Sequence, residues 1–360
     1  MSSDAMGPLT RSDPSGSGIR RRRCGRGFRY LGPDSAAIKD EGTLSRIKSL
    51  VIPPAWEDVW ICADPSGHIQ AIGTDSAGRR QYRYHDLWRE RRDRAKHDRV
   101  VEFGAGLPHL REVVCRDLNG SGLTRARVLA AAIRLIDLGF FRPGGEEYAE
   151  ENGTFGLATI RKEHVSLIKG QLVFEYQAKG AKHREQAVAE DDVCAVVRSL
   201  RLRRKGGERL LAYKSGARWH DVTAADINTY LGEVAGGDYT AKDFRTWHAT
   251  VLAAVGLAVS ESAASSDSQR KRAIARVVRE VAGYLGNTPA VARASYIDPR
   301  VIDRYLHGVT IGPVLGDLGK DSRFGDLATR GHAERAVVKL LAGQRPRRFT
   351  DGKPGSDSHL

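Results

Sequence analysis

Tyr296 ends the segment GNTPAVARASY and stands nine residues after Asn287. A tyrosine phenol is either an ordinary packing group or a nucleophile that forms a covalent intermediate. A free phenol has a pKa of about 10, so roughly one in a thousand is ionised at pH 7. A tyrosine nucleophile therefore needs neighbouring groups that stabilise its anion, and the elements around Tyr296 decide whether it has them.

The sequence around Tyr296 predicts three consecutive helices. The first, QRKRAIARVVREVAGYLG, carries one apolar face, made of Ile274, Val277, Val278, Val281 and Leu285. Gly286 suits its C-cap. Thr288 and Pro289 are typical of an N-cap followed by the first helical position, so a short second helix begins there. Asp298-Pro299 ends that helix and begins the third. Tyr296 is thus expected at the end of a short helix, where its phenol can point away from the core.

The chain begins with a predicted basic tail and a small β-rich domain. Residues 1–23 are rich in Ser, Gly, Asp and Arg, and such a composition predicts disorder. Residues 24–100 contain VWICA, HIQAIGTD and RQYRYH, separated by the turn signals DPSG and DSAG, which predict short strands. A charged helical stretch at 86–103 is expected to lead into a linker.

A larger, mainly helical domain is predicted over residues 107–343, and a second disordered tail over 344–360. LTRARVLAAAIRLIDLG places apolar side chains at spacings of three and four, as an amphipathic helix requires. Alternation at 171–186 predicts a β-hairpin element, with Leu172, Phe174 and Tyr176 on one face. The predicted fold class is therefore α+β.

The charge of the chain favours a polyanionic partner. Lys and Arg number 58 against 44 Asp and Glu, a formal net charge of +14. Nucleic acid is the first candidate and an anionic membrane surface the second. No run of 18 apolar residues predicts a membrane span, and the polar N-terminus lacks the core of a signal peptide. Four widely spaced cysteines without a CxxC pair predict a cytoplasmic chain with neither a disulfide framework nor a zinc site.

Five segments occur in the order found in one enzyme family. They are GRRQYRYH (78–85), FFRPGGEEYAEENGTFGLATIRKEHV (140–165), FEYQAKG (174–180), AKDFRTWHATV (241–251) and GNTPAVARASY (286–296). Over roughly residues 27–343 the chain resembles the type IB DNA topoisomerases of the bacterial and poxvirus kind. In that family these segments are the DNA-clamping N-terminal domain, the first arginine motif, the lysine hairpin, the second arginine motif and the nucleophile segment.

The resemblance implies five catalytic residues. Tyr296 matches the nucleophile, and Arg142 and Arg245 match the two arginines that contact the scissile phosphate. Lys179 matches the lysine that acts as general acid. Asn287 falls where poxvirus and eukaryotic members have histidine, and its amide can still donate a hydrogen bond to a phosphate oxygen without carrying a charge.

These residues can also be explained without a catalytic role. Arg142 could pair with the acidic residues of Glu146-Glu147, and Arg245 could lie on a solvated helix face. Lys182 shares the hairpin tip and is a second candidate for the acid. Asn287 could simply help to cap the helix that ends at Gly286.

The resemblance further implies a DNA-binding segment in the N-terminal domain, with contacts from Arg79, Arg80, Gln81, Tyr82 and Tyr84. Tyr82 and Tyr84 share one face of a strand. Most such contacts would reach phosphate and sugar, which positions the duplex without reading its sequence. The alternative is a strand whose two tyrosines fill the core of the small domain.

The implied activity is relaxation of positive and negative supercoils by a monomer that clamps double-stranded DNA. A 3′-phosphotyrosyl link would conserve the energy of the broken bond, so neither ATP nor a metal cofactor is expected. The sequence shows no GxxxxGK[ST] pattern. Two alternatives stay open: a site-specific tyrosine recombinase and a non-catalytic duplex-DNA-binding protein. The absence of an HxxR box before Tyr296 counts against the first, and the complete catalytic set against the second.

Overall fold

A computed structural model describes two compact units, Met1–Asp98 (unit 1) and Arg99–Leu360 (unit 2). The described residues are 8–139, 141–144, 153–178, 180–264, 266–320 and 329–342. They combine helices with antiparallel sheets, so the predicted α+β class is confirmed. None of the helices in these ranges combines the length and the apolar composition of a membrane span. The same residues contain no group of three or more His, Cys, Asp or Glu side chains that could hold a metal ion.

Unit 1 is built on one five-stranded antiparallel sheet. Its strands are β1 (Ile19–Cys24), β2 (Gly27–Leu31), β3 (Glu57–Ile61), β4 (Ile69–Thr74) and β5 (Arg80–Tyr84), and helix α1 (Glu41–Ser49) joins β2 to β3. The strand order in the sheet is β2-β1-β3-β4-β5. One face of the sheet holds the main buried cluster, made of Ile19, Ile47, Val59, Ile61 and Ala71. The other face holds a smaller cluster around Trp60 and Ile72.

The prediction of disorder is wrong for residues 19–23, because they belong to strand β1. Ile19 is only 3% exposed, and the strand pairs with both β2 and β3. Arg21 donates to the carbonyls of Pro53 and Trp56 and lies over the ring of Phe28 at 4.1 Å. Composition suggested disorder because arginines bury little surface. Here the strand is held by backbone pairing and by one buried isoleucine.

The predicted linker is wrong, because helix α2 (Asp86–Leu118) continues through it. It runs without a break through residues 104–106 and carries Pro108 inside it. The division between the two units falls within this helix. From Val100 onward its apolar side chains repeat at helical spacing and enter the core of unit 2: Val100, Phe103, Leu107, Leu110, Val114 and Leu118. Unit 2 therefore begins earlier than the expected start at residue 107.

Unit 2 is mainly helical, as predicted. Its helices include α3 (Arg125–Asp137), α4 (Asp191–Leu202), α5 (Ala224–Ala235), α6 (Ala241–Ser260), α7 (Asp267–Leu285), α8 (Pro289–Ser295), α9 (Pro299–Leu306) and α10 (His332–Ala342). A three-stranded antiparallel sheet contains β6 (Val165–Ile168), β7 (Gln171–Ala178) and β8 (Lys182–Val188), and a separate hairpin pairs β9 (Ala212–Ser215) with β10 (Arg218–Asp221). The predicted hairpin at 171–186 is therefore formed by β7 and β8. The predicted tail 344–360 lies outside the described residues.

A buried ion cluster holds α2, α3 and α10 together. Asp137, 1% exposed, accepts from Arg111 at 2.9 Å and from Arg330 at 2.7 Å. Arg111 also binds Glu334 of α10 at 2.6 Å. Burial alone would raise the pKa of Asp137, but the charges of Arg111 and Arg330 outweigh it and hold the pKa well below its usual range.

Substitution of this aspartate is expected to destabilise the fold strongly. Asp137→Asn leaves the three guanidinium groups of Arg111, Arg134 and Arg330 short of one shared counter-charge, so we expect the free energy of unfolding to fall by about 3 to 5 kcal/mol. The exposed control Asp303→Asn should change it by less than about 0.5 kcal/mol. Because the folded pKa is depressed, this stabilisation is present above about pH 4 and is lost as the pH falls below it. Urea unfolding checks both statements, and equal stabilities for the two variants would contradict them.

Candidate active site

Two of the predicted site arginines converge on one helix end. Arg142 follows α3 in the chain, and Arg245 lies in the first turns of α6. Their Nη2 atoms both donate to the carbonyl of Leu285, at 3.0 and 2.8 Å. Leu285 is the last residue of α7, where the helix dipole carries its negative end. That end explains how two guanidinium groups can lie so close together.

Arg245 is buried, not solvated. Its side chain is 7% exposed, and its guanidinium carbon lies 5.5 Å from the ring centroid of Tyr296. Burial and the charge of Arg142 lower the pKa of Arg245, and Tyr296 raises it. Burial likewise lowers the pKa of Arg142, with Tyr296 acting in the opposite direction. Both arginines therefore lie in surroundings that would favour an added negative charge.

Local capping signals position Tyr296 as predicted. Helix α7 ends at Gly286 in the left-handed conformation, with φ of 66°. Thr288 accepts from the N–H of Val291 and caps α8, which ends at Ser295 with Tyr296 as its C-cap residue. The next residues, Ile297 and Asp298, are buried, and Thr250 of α6 donates to the Tyr296 carbonyl at 3.3 Å. The backbone at Tyr296 is thus anchored while the ring stays half-buried under Arg245.

Burial disfavours the phenolate form of two neighbouring tyrosines. Tyr176 and Tyr284 lie in the same region of unit 2 as Arg245. Burial raises the pKa of each to about 12, although the arginine charges act to lower it. Both phenols therefore stay protonated near neutral pH and are suited to donating hydrogen bonds.

Asn287 offers an unused donor beside Arg142. Its Oδ1 accepts from Arg142 at 3.2 Å, so the amide nitrogen points away from the guanidinium. Nδ2 is buried and has no hydrogen-bond partner among the described residues. A buried donor without a partner is costly, by about 1 to 3 kcal/mol. The amide of Asn287 therefore keeps an N–H that is available to an acceptor.

A pocket beside the β7–β8 hairpin contains both arginines and includes a residue that was not predicted from the sequence. The pocket is lined by Arg142, Phe155, Tyr176, Ala178, Lys182, Arg184, Arg245 and Gly286. Arg184 was not singled out from the sequence. The alternation of the two strands could have predicted it, because Arg184 pairs directly with Tyr176 across the hairpin and so lies on the same face. No acidic side chain occurs among these described lining residues, so the pocket is strongly cationic.

Only one of the two candidate lysines, Lys182, lies within the described residues. Lys182 donates from Nζ to the Gly286 carbonyl at 3.4 Å. Lys179 lies outside the described residues, between Ala178 and a turn in which Gly180 has φ of 80°. Glu146-Glu147, the alternative ion partners of Arg142, also lie outside them.

The predicted DNA-binding segment of unit 1 forms β5 and its preceding turn. Tyr82 and Tyr84 stack with ring centroids 6.0 Å apart, and Tyr82 is 42% exposed. Neither ring belongs to the buried clusters of unit 1, which disfavours the alternative of core tyrosines. Arg79 and Gln81 both donate to Asp75, at 3.0 and 2.9 Å. These bonds, chiefly those from Arg79, lower the pKa of Asp75 to about 2.

Comparisons with known proteins match both units. A family model of the eukaryotic DNA topoisomerase I catalytic core matches residues 85–307, and one of the bacterial DNA topoisomerase IB N-terminal domain matches residues 27–75. The chain is 31% identical over 296 residues to DNA topoisomerase 1B of Acanthamoeba polyphaga mimivirus, which covers 80% of this chain and 87% of that protein. Identity to DNA topoisomerase 1B of vaccinia virus (strain Western Reserve) is 22% over 233 residues, 64% of this chain and 71% of the relative. DNA topoisomerase 1 beta of Arabidopsis thaliana is 26% identical over 160 residues, 44% of this chain and 16% of the plant protein.

Proposed function

Because this chain belongs to the type IB DNA topoisomerase family and is therefore an isomerase that acts on DNA, we propose that it relaxes both positive and negative supercoils by transient cleavage of one strand. One observation carries the proposal. Arg142 and Arg245 both donate to the Leu285 carbonyl, and the guanidinium of Arg245 lies 5.5 Å from the ring of Tyr296. The pocket that contains both arginines has no acidic side chain among its described lining residues. Such a pocket suits a phosphodiester next to a phenol.

In the proposed reaction the phenolic oxygen of Tyr296 attacks the scissile phosphorus. The bond from phosphorus to the 5′ oxygen breaks, and that oxygen leaves as a hydroxyl after it receives a proton. The enzyme is then joined to the 3′ end through a phosphotyrosine, which conserves the energy of the phosphodiester. The free strand rotates about the intact one, and its 5′ hydroxyl attacks the phosphotyrosine to reseal the duplex. The cycle uses neither ATP nor a metal ion.

The arginines and the asparagine stabilise the charge that develops on the nonbridging oxygens. A guanidinium offers five N–H donors, so each arginine can keep its bond to Leu285 and still present a pair of donors to phosphate. The orphaned Nδ2 of Asn287 supplies a further, uncharged donor. The unpartnered Nδ2 supports the proposal that Asn287 takes the place of the histidine found in the poxvirus and eukaryotic members.

Lys179 is the proposed general acid for the leaving 5′ oxygen. The assignment rests on its match to the family's lysine hairpin. Lys182, the other candidate, is engaged with the Gly286 carbonyl, which favours Lys179 for proton transfer.

Unit 1 is proposed to bind the same duplex through β5 and its turn. Arg80, Tyr82 and Tyr84 alternate along one face of the strand, while Asp75 holds Arg79 and Gln81 at its start. Contacts from all five to phosphate and sugar would position the duplex without reading bases. We propose that the working enzyme is a monomeric clamp that needs no nucleotide cofactor and associates with the nucleoid.

A clamp of this kind predicts a steep dependence of DNA binding on salt. If about five phosphates are neutralised, the association constant should fall several hundred-fold between about 50 and 200 mM salt. Fluorescence anisotropy with a labelled duplex and the Tyr296→Phe variant measures binding without cleavage. A constant that is flat over this range would contradict the clamp.

Two capping glycines provide a matched pair of variants. Gly286 and Gly236 end α7 and α5 with nearly equal φ, 66° and 67°. A Cβ at Gly236 would meet open space, whereas one at Gly286 would lie 2.0 Å from Nη2 of Arg184. Each Gly→Ala change should lower the free energy of unfolding by about 1 to 2 kcal/mol, because both residues are left-handed. Only Gly286→Ala should also slow relaxation, by about 10-fold or more, since it displaces the cationic cluster.

The proposed activity is tested by incubating negatively and positively supercoiled plasmids with the chain in EDTA and without ATP. Relaxation of both is the expected result. A requirement for ATP or a divalent cation would overturn the proposed mechanism. Strand exchange between two DNA sites, without relaxation, would favour a recombinase, and binding without any change of topology would favour a DNA-binding protein.

A further inference from the structure

We propose that Arg184 of β8 is a further catalytic residue, whose guanidinium contacts the scissile phosphate together with Arg142 and Arg245. This inference rests on the proposed function. It adds a third arginine to the two that the family resemblance supplied.

The β7–β8 hairpin fixes where Arg184 lies. Arg184 pairs with Tyr176 on the neighbouring strand, and Tyr176 is 6% exposed. The Tyr176 ring stacks on Phe141 at 6.3 Å, and Phe141 in turn packs edge-on against Phe174 of the same strand. Strand β7, which neighbours Arg184, is therefore anchored in the core of unit 2. It packs there against Phe141, the residue directly before Arg142.

The guanidinium of Arg184 points toward the phosphate-binding groups already described. A Cβ built on Gly286 would lie 2.0 Å from Nη2 of Arg184 and 3.9 Å from Nη2 of Arg142. Both guanidinium groups therefore border the same backbone, immediately before Asn287. Arg184 also lines the pocket that contains Arg245.

The positive charges around Arg184 favour the binding of an anion. Among the described residues, Arg184 makes no ion pair or side-chain hydrogen bond, and the pocket lining there includes no carboxylate. Its charge instead acts on the two other arginines and lowers the pKa of each, after the larger effect of burial. Three cations that repel one another gain most from a ligand that carries negative charge, and a phosphodiester brings that charge to all three.

The test compares single-turnover cleavage by the wild type, Arg184→Ala and His183→Ala. His183 is the matched control, because it lies on the opposite face of the same strand, paired with exposed Glu175 at 3.6 Å. We expect Arg184→Ala to cleave about 100-fold more slowly, as for loss of one charge-stabilising donor, and His183→Ala to match the wild type. Arg184→Lys should recover part of the rate, and thermal unfolding verifies that each variant is folded.

Substrate analogues then identify the negative charge that Arg184 stabilises. On a duplex with a neutral methylphosphonate at the cleavage site, the Arg184→Ala defect should shrink to less than about 5-fold, because the charge it balanced is gone. An undiminished defect on this substrate would overturn the inference in favour of a neighbouring phosphate. A defect that disappears with a 5′-bridging sulfur, which leaves without a proton, would also overturn it and make Arg184 a positioning residue for the general acid.

These outcomes separate the inference from the function on which it rests. A wild-type chain that fails to cleave any duplex would refute the proposed function itself. Normal cleavage by both the wild type and Arg184→Ala would refute only the role of Arg184.

Discussion

Tyr296→Phe is expected to abolish relaxation, by at least about 10⁴-fold, while leaving DNA binding intact. The substitution removes a single oxygen, and the proposed reaction has no other route to a covalent intermediate. The ring itself should stay in place, because its backbone is anchored by Thr250 and by buried Ile297, and its face lies under Arg245. Plasmid relaxation measured over a range of enzyme concentrations gives the size of the loss.

Tyr284→Phe is the matched control for this prediction. Tyr284 is also a half-buried phenol near Arg245, and burial raises its pKa to about 12. Its hydroxyl reaches the Leu138 carbonyl at 3.4 Å, so the loss should affect stability by about 1 kcal/mol and relaxation by less than about 3-fold. Relaxation by the Tyr296→Phe chain at the wild-type rate would show that another group is the nucleophile.

Arg245→Ala is expected to slow cleavage by about 100- to 1000-fold, equivalent to about 3 to 4 kcal/mol of barrier. The residue is buried between the Leu285 carbonyl and the Tyr296 ring, so its charge acts with little screening. Cleavage and religation share a transition state, and both should slow by a similar factor. Lysine should restore little, because a single ammonium cannot replace a planar fork of donors.

The fold should survive the loss of Arg245 well enough for this measurement. The Leu285 carbonyl keeps its bond to Arg142 at 3.0 Å, so this acceptor is not orphaned. Arg279→Ala, an exposed arginine on α7, is the control and should leave the cleavage rate unchanged. Equal single-turnover rates for the two alanine variants would remove Arg245 from the mechanism.

Local signals in the sequence predicted the frame of the site. Gly286, Thr288 and Asp298 each occupy the cap that their residue type favours, so the helix boundaries beside Tyr296 are confirmed. The apolar stripes of α3 and α7 and the buried face of β7 are also where periodicity placed them. Such features depend on neighbours a few residues away, which a sequence displays directly.

Features that depend on distant pairing were missed or misjudged. Strand β1 is rich in arginine, and only its partners β2 and β3 make it a strand. The predicted linker is helical because the side chains after Val100 pack into a core whose other members come much later in the chain. In the site, the shared Leu285 carbonyl, the orphaned amide of Asn287 and the approach of Arg184 all arise from contacts between remote segments.

The proposed covalent intermediate can be tested by trapping the complex with detergent on a duplex that is labelled at either end of the cleaved strand. The adduct is expected to retain the 5′-end label, since the enzyme would be joined to the 3′ phosphate of the upstream fragment. Proteolysis and mass spectrometry should place the attached nucleotide on Tyr296. An adduct that retains the 3′-end label, or one mapped to a different residue, would refute attack by Tyr296 on the 3′ phosphate.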